Sequence, residues 1–159
     1  MRPPVANKTH YPNGVTLLDR AFDELFTHEK GPGALPSKYG EGKATKAIIV
    51  PHGAYSLAGP AMAWGYKALA EDAANDKLFI LVAQAQFSTA SGVTTETFQT
   101  PYGEVRTDQN FIRELVQKGS IKLNDAAHQQ DNLIEVQLPF LQFVLKRYME
   151  QIKIVTLLL

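Results

Sequence analysis

Three short apolar runs along the chain predict buried β-strands. They cover residues 47–50 (AIIV), 77–82 (KLFILV) and 153–159 (KIVTLLL), and such runs are typical of strands covered on both faces of a parallel sheet. Pro60 follows the first run at a distance suited to the first position of a helix. We therefore expect the first two strands to pair in parallel through a crossover helix. Because the third run ends the sequence, we expect that strand to lack partners.

Helical spacing of apolar residues separates these runs. Residues 15–26 carry apolar side chains on one face and charged side chains on the other, which predicts an amphipathic surface helix. Asp108 is expected to cap a second helix that ends near residue 118. Residues 131–148 repeat the helical spacing, but Pro139 disfavours an uninterrupted helix. The last helix therefore either begins beside this proline, near Leu138, or bends there.

The remaining segments predict edge structure and turns. Residues 92–98 alternate in the manner of a half-exposed strand, and residues 100–103 (TPYG) predict a turn after which residues 104–106 pair back. A short strand at residues 121–123 is a weaker prediction. Residues 1–12 contain three prolines and no periodicity, so we expect them to lie extended on the surface.

Length and composition narrow the class of protein. The 159 residues fit one domain, residues 1–159, which we expect to be α/β, with a mixed, largely parallel sheet flanked by helices. Lys and Arg balance Asp and Glu at 16 each, so the sequence favours no nucleic-acid partner. The absence of cysteine excludes disulfides and thiolate ligands within these residues. The sequence has no apolar run of membrane-spanning length, which predicts a soluble, intracellular protein, either cytoplasmic or organellar.

Polar residues follow the predicted strands where α/β sheets bind ligands. His52 comes directly after the first strand, and Gln84 and Gln86 follow the second. Asn132 and Glu135 lie at the entry of the last long helix. Each also has an ordinary structural interpretation, as a loop histidine, solvated loop glutamines or helix-capping groups. These residues, together with Tyr55 and His128, are the candidates for a ligand pocket.

Several blocks of the sequence, in this order, resemble the Memo family. They are MRPPVA with HYP, KAIIVPHGAY with AGP, KLFIL, TPYGEVRTD, NLIEVQLPFLQ and IKIVTLL. The fold of that family is similar to that of LigB-type class III extradiol dioxygenases. The resemblance implies an α/β sandwich with a cleft at the strand ends, and it implies that His52 lines this cleft, with Tyr55 nearby.

The chain departs from the family pattern at the metal site. Relatives carry a Gly-Pro-Ser-His-His block after the second strand, where this chain has residues 82–86 (VAQAQ). They carry a Glu-His-Ser block where this chain has residues 131–133 (DNL). Glu135 matches the glutamate after that block, and His128 matches a further histidine found upstream. Relatives are also longer, with a later cysteine that completes the cleft, so the chain is expected to be incomplete at its carboxyl end.

These departures favour a protein without a catalytic metal. A transition-metal centre needs about three good ligands, and His52 is the one matched imidazole at the family site. Our leading hypothesis is a non-catalytic Memo-like domain without cofactor. It would act as a structural or protein-binding subunit of a larger assembly.

Two alternatives remain open at this point. The first is a redox or dioxygenase-like enzyme that uses iron, copper or zinc, with His52 assisted by His128 and Glu135. The second is a metal-free pocket that holds a small polar ligand or a peptide. Its lining would be His52, Tyr55, Gln84, Gln86 and Asn132.

Overall fold

The computed structural model describes residues 1–37, 39, 45–72, 77–86, 91–119 and 121–159. The helices are α1 (Val15–Thr27), α2 (Tyr55–Asp72), α3 (Gln109–Gln117), α4 (Asp125–Gln130) and α5 (Leu138–Val144), with 3₁₀ turns at Glu135–Gln137 and Lys146–Gln151. The strands are β1 (Leu78–Ala83), β2 (Gly92–Val93), β3 (Phe98–Thr100), β4 (Gly103–Thr107) and β5 (Lys153–Leu158). Among the residues described, no helix is long and apolar enough to cross a membrane.

The strands form one mixed sheet in the order β1-β5-β4-β3. β5 pairs in parallel with β1 on one side and with β4 on the other, whereas β3 and β4 form an antiparallel hairpin. β2 pairs antiparallel with the end of β5. The protein is therefore α/β with a mixed, mostly parallel sheet flanked by helices, as the sequence predicts. β1 lies at one end of this order, so its outer edge has no paired strand within the described residues.

The main core lies on one face of the sheet, beneath α1, α2 and α5. Phe22, Tyr55 and Phe140 meet there, with ring centroids 4.6 Å apart for Phe22–Phe140 and 4.9 Å apart for Tyr55–Phe140. On the opposite face a smaller cluster forms around Val93, Ile112 and Val155, and residues of α3 pack against it. Alternating side chains of β5 therefore serve two different clusters, which makes β5 the central strand of the fold.

Helices and strands with strong patterns agree with the predictions. α1 and α3 lie within one residue of the predicted helices, and the Asp108 side chain accepts hydrogen bonds from the N–H groups of Asn110 and Phe111. β1 lies within one residue of the second predicted strand, but none of its residues is buried, contrary to the prediction of a covered strand. The hairpin of β3 and β4 matches the predicted turn. The last α-helix begins at Leu138, with Pro139 in its first turn. The predicted strand over residues 92–98 is instead two short strands, β2 and the beginning of β3.

The prediction of a strand at residues 47–50 is wrong. These residues form no strand, and Ile49 is fully exposed. The segment packs on α2 instead, because Gly65 has no side chain: a Cβ built at Gly65 would lie 2.4 Å from the Val50 side chain. The segment is thereby held against α2, away from the edge of β1. Because no backbone among the described residues pairs with it, it lacks the ladder of hydrogen bonds that defines a strand.

Three further expectations fail for reasons of tertiary packing. The final strand does not lack partners, since β5 is the paired and buried centre of the sheet, and the uncovered strand is β1. α2 begins at Tyr55, so Pro60 lies inside the helix, where burial of residues such as Met62 stabilises it. The amino-terminal segment lies on the surface only in part, because Arg2, Ala6 and Tyr11 are buried.

Candidate functional site

A cavity opens beside β1, and we call it the β1 slot. It has a volume of about 760 Å³. Residues 47–50 and His52 form one wall, and residues 79–86, from β1 and the turn after it, form the other. The floor consists of side chains from α2 and from the segment before and within α5; it includes Tyr66, Leu69, Leu133, Ile134, Gln137 and Leu141. The slot runs along the side of β1 and reaches its carboxyl end, whereas the sequence predicts a cleft at the strand ends.

Polar groups lie at one end of the β1 slot. His52, Gln84 and Gln86, three of the candidate pocket residues, line this end with exposed side chains. The Gln86 N–H donates to Asp131 Oδ2 at 2.9 Å, which fixes the turn after β1. Gln137 receives a hydrogen bond from the Tyr66 hydroxyl at 2.9 Å and reaches the Pro51 carbonyl oxygen with its amide nitrogen at 3.3 Å. The slot therefore combines apolar walls with one imidazole and several amides.

Glu135 lies outside the slot lining, at the centre of a second group of polar side chains that we call the Arg2–Glu135 centre. Arg2 Nη1 donates to Glu135 Oε2 at 2.8 Å, and the Tyr11 hydroxyl donates to Oε1 at 2.6 Å. The backbone N–H groups of Val5 and Ala6 donate to the same carboxylate at 2.9 and 2.8 Å. Both side chains of the Arg2–Glu135 pair have no exposed surface. All four donors come from residues 2–11, so the carboxylate fixes the amino-terminal segment.

His128 borders this centre and is buried. The Arg2 guanidinium donates to its carbonyl oxygen, and the His128 Nδ1 atom lies 3.0 Å from the Asn124 carbonyl oxygen. Its Nε2 atom has no hydrogen-bond partner among the described residues. Burial lowers the pKa of His128 below the ordinary histidine value, more strongly than its hydrogen bonds raise it. The imidazole is therefore favoured in its neutral form.

The other predicted site residues have separate environments. Tyr55 is buried, and its hydroxyl donates to the Val136 carbonyl oxygen at 2.7 Å. Asn132 is partly buried, and its amide nitrogen lies 3.5 Å from Nε2 of His10. The structure therefore brings His52, Gln84 and Gln86 to one cavity, whereas Tyr55 supports the core.

Sequence reasoning missed Arg2, His10 and Tyr11. Arg2 and Tyr11 belong to residues 1–12, which were predicted to lie on the surface because they contain three prolines and no periodicity. Both belong to the blocks MRPPVA and HYP, which carry part of the family resemblance. A charged residue within a matched block was the available signal that this segment is more than a surface tail.

The residues do not fit a metal centre of the kind that the resemblance implies. The two oxygens of Glu135 already accept four hydrogen bonds, so binding a metal ion there would remove the partners of Arg2 and Tyr11. His52 lies exposed at the β1 slot, whereas His128 is buried. Within the described part of the chain, no three His, Cys, Asp or Glu side chains are grouped so that they could hold an ion. A transition-metal site normally requires such a group.

Comparisons with known proteins identify a family for the chain. The family model described as Memo-like protein matches residues 2–159. A MEMO1 family protein of Ignicoccus hospitalis is 34% identical over 148 residues, which cover 91% of this chain and 52% of the relative. A MEMO1 family protein of Methanopyrus kandleri is 35% identical over 147 residues, covering 90% of this chain and 52% of the relative.

A third relative has a similar relationship to the chain. The MEMO1 family protein of Metallosphaera sedula is 34% identical over 149 residues, which cover 89% of this chain and 51% of the relative. The chain thus spans about half the length of the relatives that it matches. Because the family model extends over nearly all of the chain, this protein belongs to the Memo-like protein family.

Proposed function

We propose that the chain is a non-catalytic Memo-like domain that acts as a structural or protein-binding subunit of a larger assembly, without a metal cofactor. The observation that carries this proposal is β1, a strand of six apolar residues with one paired edge. Ile80 and Val82 on this strand are 58% and 56% exposed. A strand of this composition is typical of a sheet that is covered on both faces.

The face that carries these side chains is only partly covered. In the register of β1 and β5, Ile80 lies opposite Val155, which α3 helps to bury. The cluster on this face therefore ends at β5, and the side chains of β1 continue the apolar surface beyond it. Uncovered apolar surface and an unpaired strand edge are both features of protein interaction sites.

The environment of Glu135 supports a non-catalytic role. A catalytic carboxylate needs a free oxygen for a metal ion or a proton, whereas both oxygens of Glu135 hold the amino-terminal segment. The same residue that matches the family glutamate thus serves a structural purpose here.

Metal reconstitution tests the non-catalytic part of the proposal. The purified protein is incubated with ferrous iron, copper or zinc, desalted and analysed by mass spectrometry for bound metal. We expect much less than one metal ion per chain, and the same residual amount in the His52→Ala variant. One ion per chain that is lost in His52→Ala would overturn the proposal.

Native purification tests the subunit role. We expect the protein purified from its native cells to be in a complex of fixed stoichiometry with a second polypeptide. The double variant Ile80→Lys, Val82→Lys should purify as a monomer. Leu57→Lys is the matched control because Leu57 is an exposed apolar residue of α2 (86% exposed) outside the slot lining. A monomeric wild-type protein, or equal release by Leu57→Lys, would contradict the proposed role.

A further inference from the structure

The two walls of the β1 slot have the arrangement of strands with a gap between them. Residues 47–50 are held on α2 through the close approach of Val50 to Gly65, and β1 is held by parallel pairing with β5. Neither wall pairs with the other, although both are stretches of apolar residues. Contacts with α2 and with β5, rather than contacts between the two walls, therefore hold the slot open.

The volume of the slot matches one short strand. A strand residue in a packed sheet occupies about 160 Å³, from a rise of roughly 3.3 Å, a strand spacing of about 4.8 Å and a sheet spacing of about 10 Å. The slot volume of about 760 Å³ therefore accommodates about five residues. This length agrees with the lengths of the two walls, because the wall of residues 47–50 has four residues and β1 has six.

The chemistry of the slot selects an uncharged, apolar strand. The outer edge of β1 presents backbone N–H and C=O groups, which an added strand would pair. The described lining contains no Asp, Glu, Lys or Arg, and apolar side chains form most of both walls and of the floor. Polar lining groups other than Gln137 and Tyr66 are confined to the end with His52, Gln84 and Gln86. An added strand would therefore be apolar over most of its length and polar at the end that lies near His52, Gln84 and Gln86.

We propose that the β1 slot receives a β-strand of about five apolar residues from the second half of a Memo-like domain, which pairs with β1. The inference rests on the proposed protein-binding function and specifies its mode. The length of the relatives identifies the source of this strand, because the matched relatives contain about as much chain outside the shared half as within it. In the half that this chain shares, the β1 slot is an apolar opening of strand dimensions beside an unpaired strand edge.

Peptides from a relative provide the test. Overlapping nine-residue peptides are made from the part of the Ignicoccus hospitalis protein outside the matched region. They are added to the purified chain, and amide hydrogen exchange is measured by mass spectrometry. We expect one apolar window to bind and to slow exchange at least tenfold in residues 79–83. The same peptide with a central proline should not protect these amides, because proline removes a donor and distorts the strand.

Two variants of the chain show whether the peptide enters the slot. Ala47→Trp places a large side chain in the exposed wall and should weaken binding of that peptide at least tenfold, and Ala85→Trp should do the same from the opposite wall. Ala68→Trp is the matched control, because Ala68 is an exposed alanine of α2 outside the lining. Unchanged exchange in α5 would show that each variant is folded.

Several results would overturn the inference. These are the absence of any binding window, equal binding of the proline peptide, binding that survives both tryptophan variants, or a dimer of the chain itself through β1. If no peptide binds but the native complex still depends on Ile80 and Val82, the inference fails and the proposed function stands. If no native complex exists, the proposed function fails regardless of the peptides.

Discussion

The Arg2–Glu135 centre and the β1 slot differ in the kind of side chain that each buries or exposes. In the first, the charged Arg2 and Glu135 are fully buried and each is matched by hydrogen-bonding partners. In the second, the apolar side chains of Ile80 and Val82 remain more than half exposed. The fold thus satisfies its costliest polar groups internally while leaving apolar surface uncovered. The polar contacts of the centre therefore stabilise the chain itself, whereas the apolar side chains of the slot remain in contact with solvent.

Removal of the Glu135 carboxylate should have the largest effect on stability. We expect Glu135→Ala to lower the free energy of unfolding by about 3–5 kcal/mol, because it leaves the Arg2 charge buried without its partner. Urea denaturation followed by circular dichroism measures the change. Glu24→Ala is the control, since the Arg20–Glu24 pair is exposed and contributes about 0.5 kcal/mol or less. Equal losses in the two variants would contradict the structural role of the centre.

Removal of one donor to the carboxylate should cost less. Tyr11→Phe deletes the hydroxyl that donates to Glu135, and hydrogen bonds to charged groups contribute about 1.5–3 kcal/mol. Tyr55→Phe is the matched control because its hydroxyl donates to a neutral carbonyl oxygen, an interaction of about 1 kcal/mol. The same denaturation experiment compares them. A larger loss in Tyr55→Phe would show that charge in the centre is not the main source of its stability.

Acidification should weaken the protein through His128. Its pKa is lowered in the folded state, chiefly by burial, with the Arg2 charge acting in the same direction and the Asp131 charge opposing it. The unfolded chain therefore binds more protons below the ordinary pKa of about 6.5, and stability falls as the pH drops from there toward the folded-state pKa. We expect unfolding free energies measured across this range to decline less in His128→Gln. An unchanged pH profile in that variant would exclude His128 as the cause.

Charges placed on β1 should have the smallest effect on stability. We expect the double variant Ile80→Lys, Val82→Lys to change the free energy of unfolding of the isolated chain by only about 0.5 kcal/mol per site, because both side chains are already largely in water. Ile154→Lys is the contrasting change, since Ile154 is fully buried on the neighbouring strand and should not tolerate a charge. Severe loss of stability in the double variant would mean that the β1 surface is buried within the chain.

The sequence predicts those elements whose pattern and environment agree. α1, α3 and β5 follow from their patterns because each buries the apolar side chains that its pattern marks. β1 is a strand as its apolar run predicts, but the burial that the run also predicts is absent. Residues 47–50 have an equally strong strand pattern but no backbone to pair with, and Gly65 directs them onto α2. Strand formation depends on a partner at a distance, and a local pattern does not contain that information.

The candidate site was predictable to a similar degree. His52, Gln84 and Gln86 reach one cavity because each follows an extended segment at the same end of the fold. The role of Glu135 was not predictable, since its partners lie more than a hundred positions away in a segment with no periodicity. Burial of an ion pair between distant residues becomes visible only when the fold is complete.

The separation of Arg2 and Glu135 by 133 positions also limits when this ion pair can form during translation. Translation proceeds from Arg2 toward Glu135, so the counter-charge of Arg2 is added 133 positions after Arg2 itself. Until then the amino-terminal segment has no buried position to occupy, and closure of so long a loop carries an entropic cost. Docking of residues 2–11 therefore waits for the synthesis of Glu135, and translation that stops before Glu135 leaves this segment without its anchor.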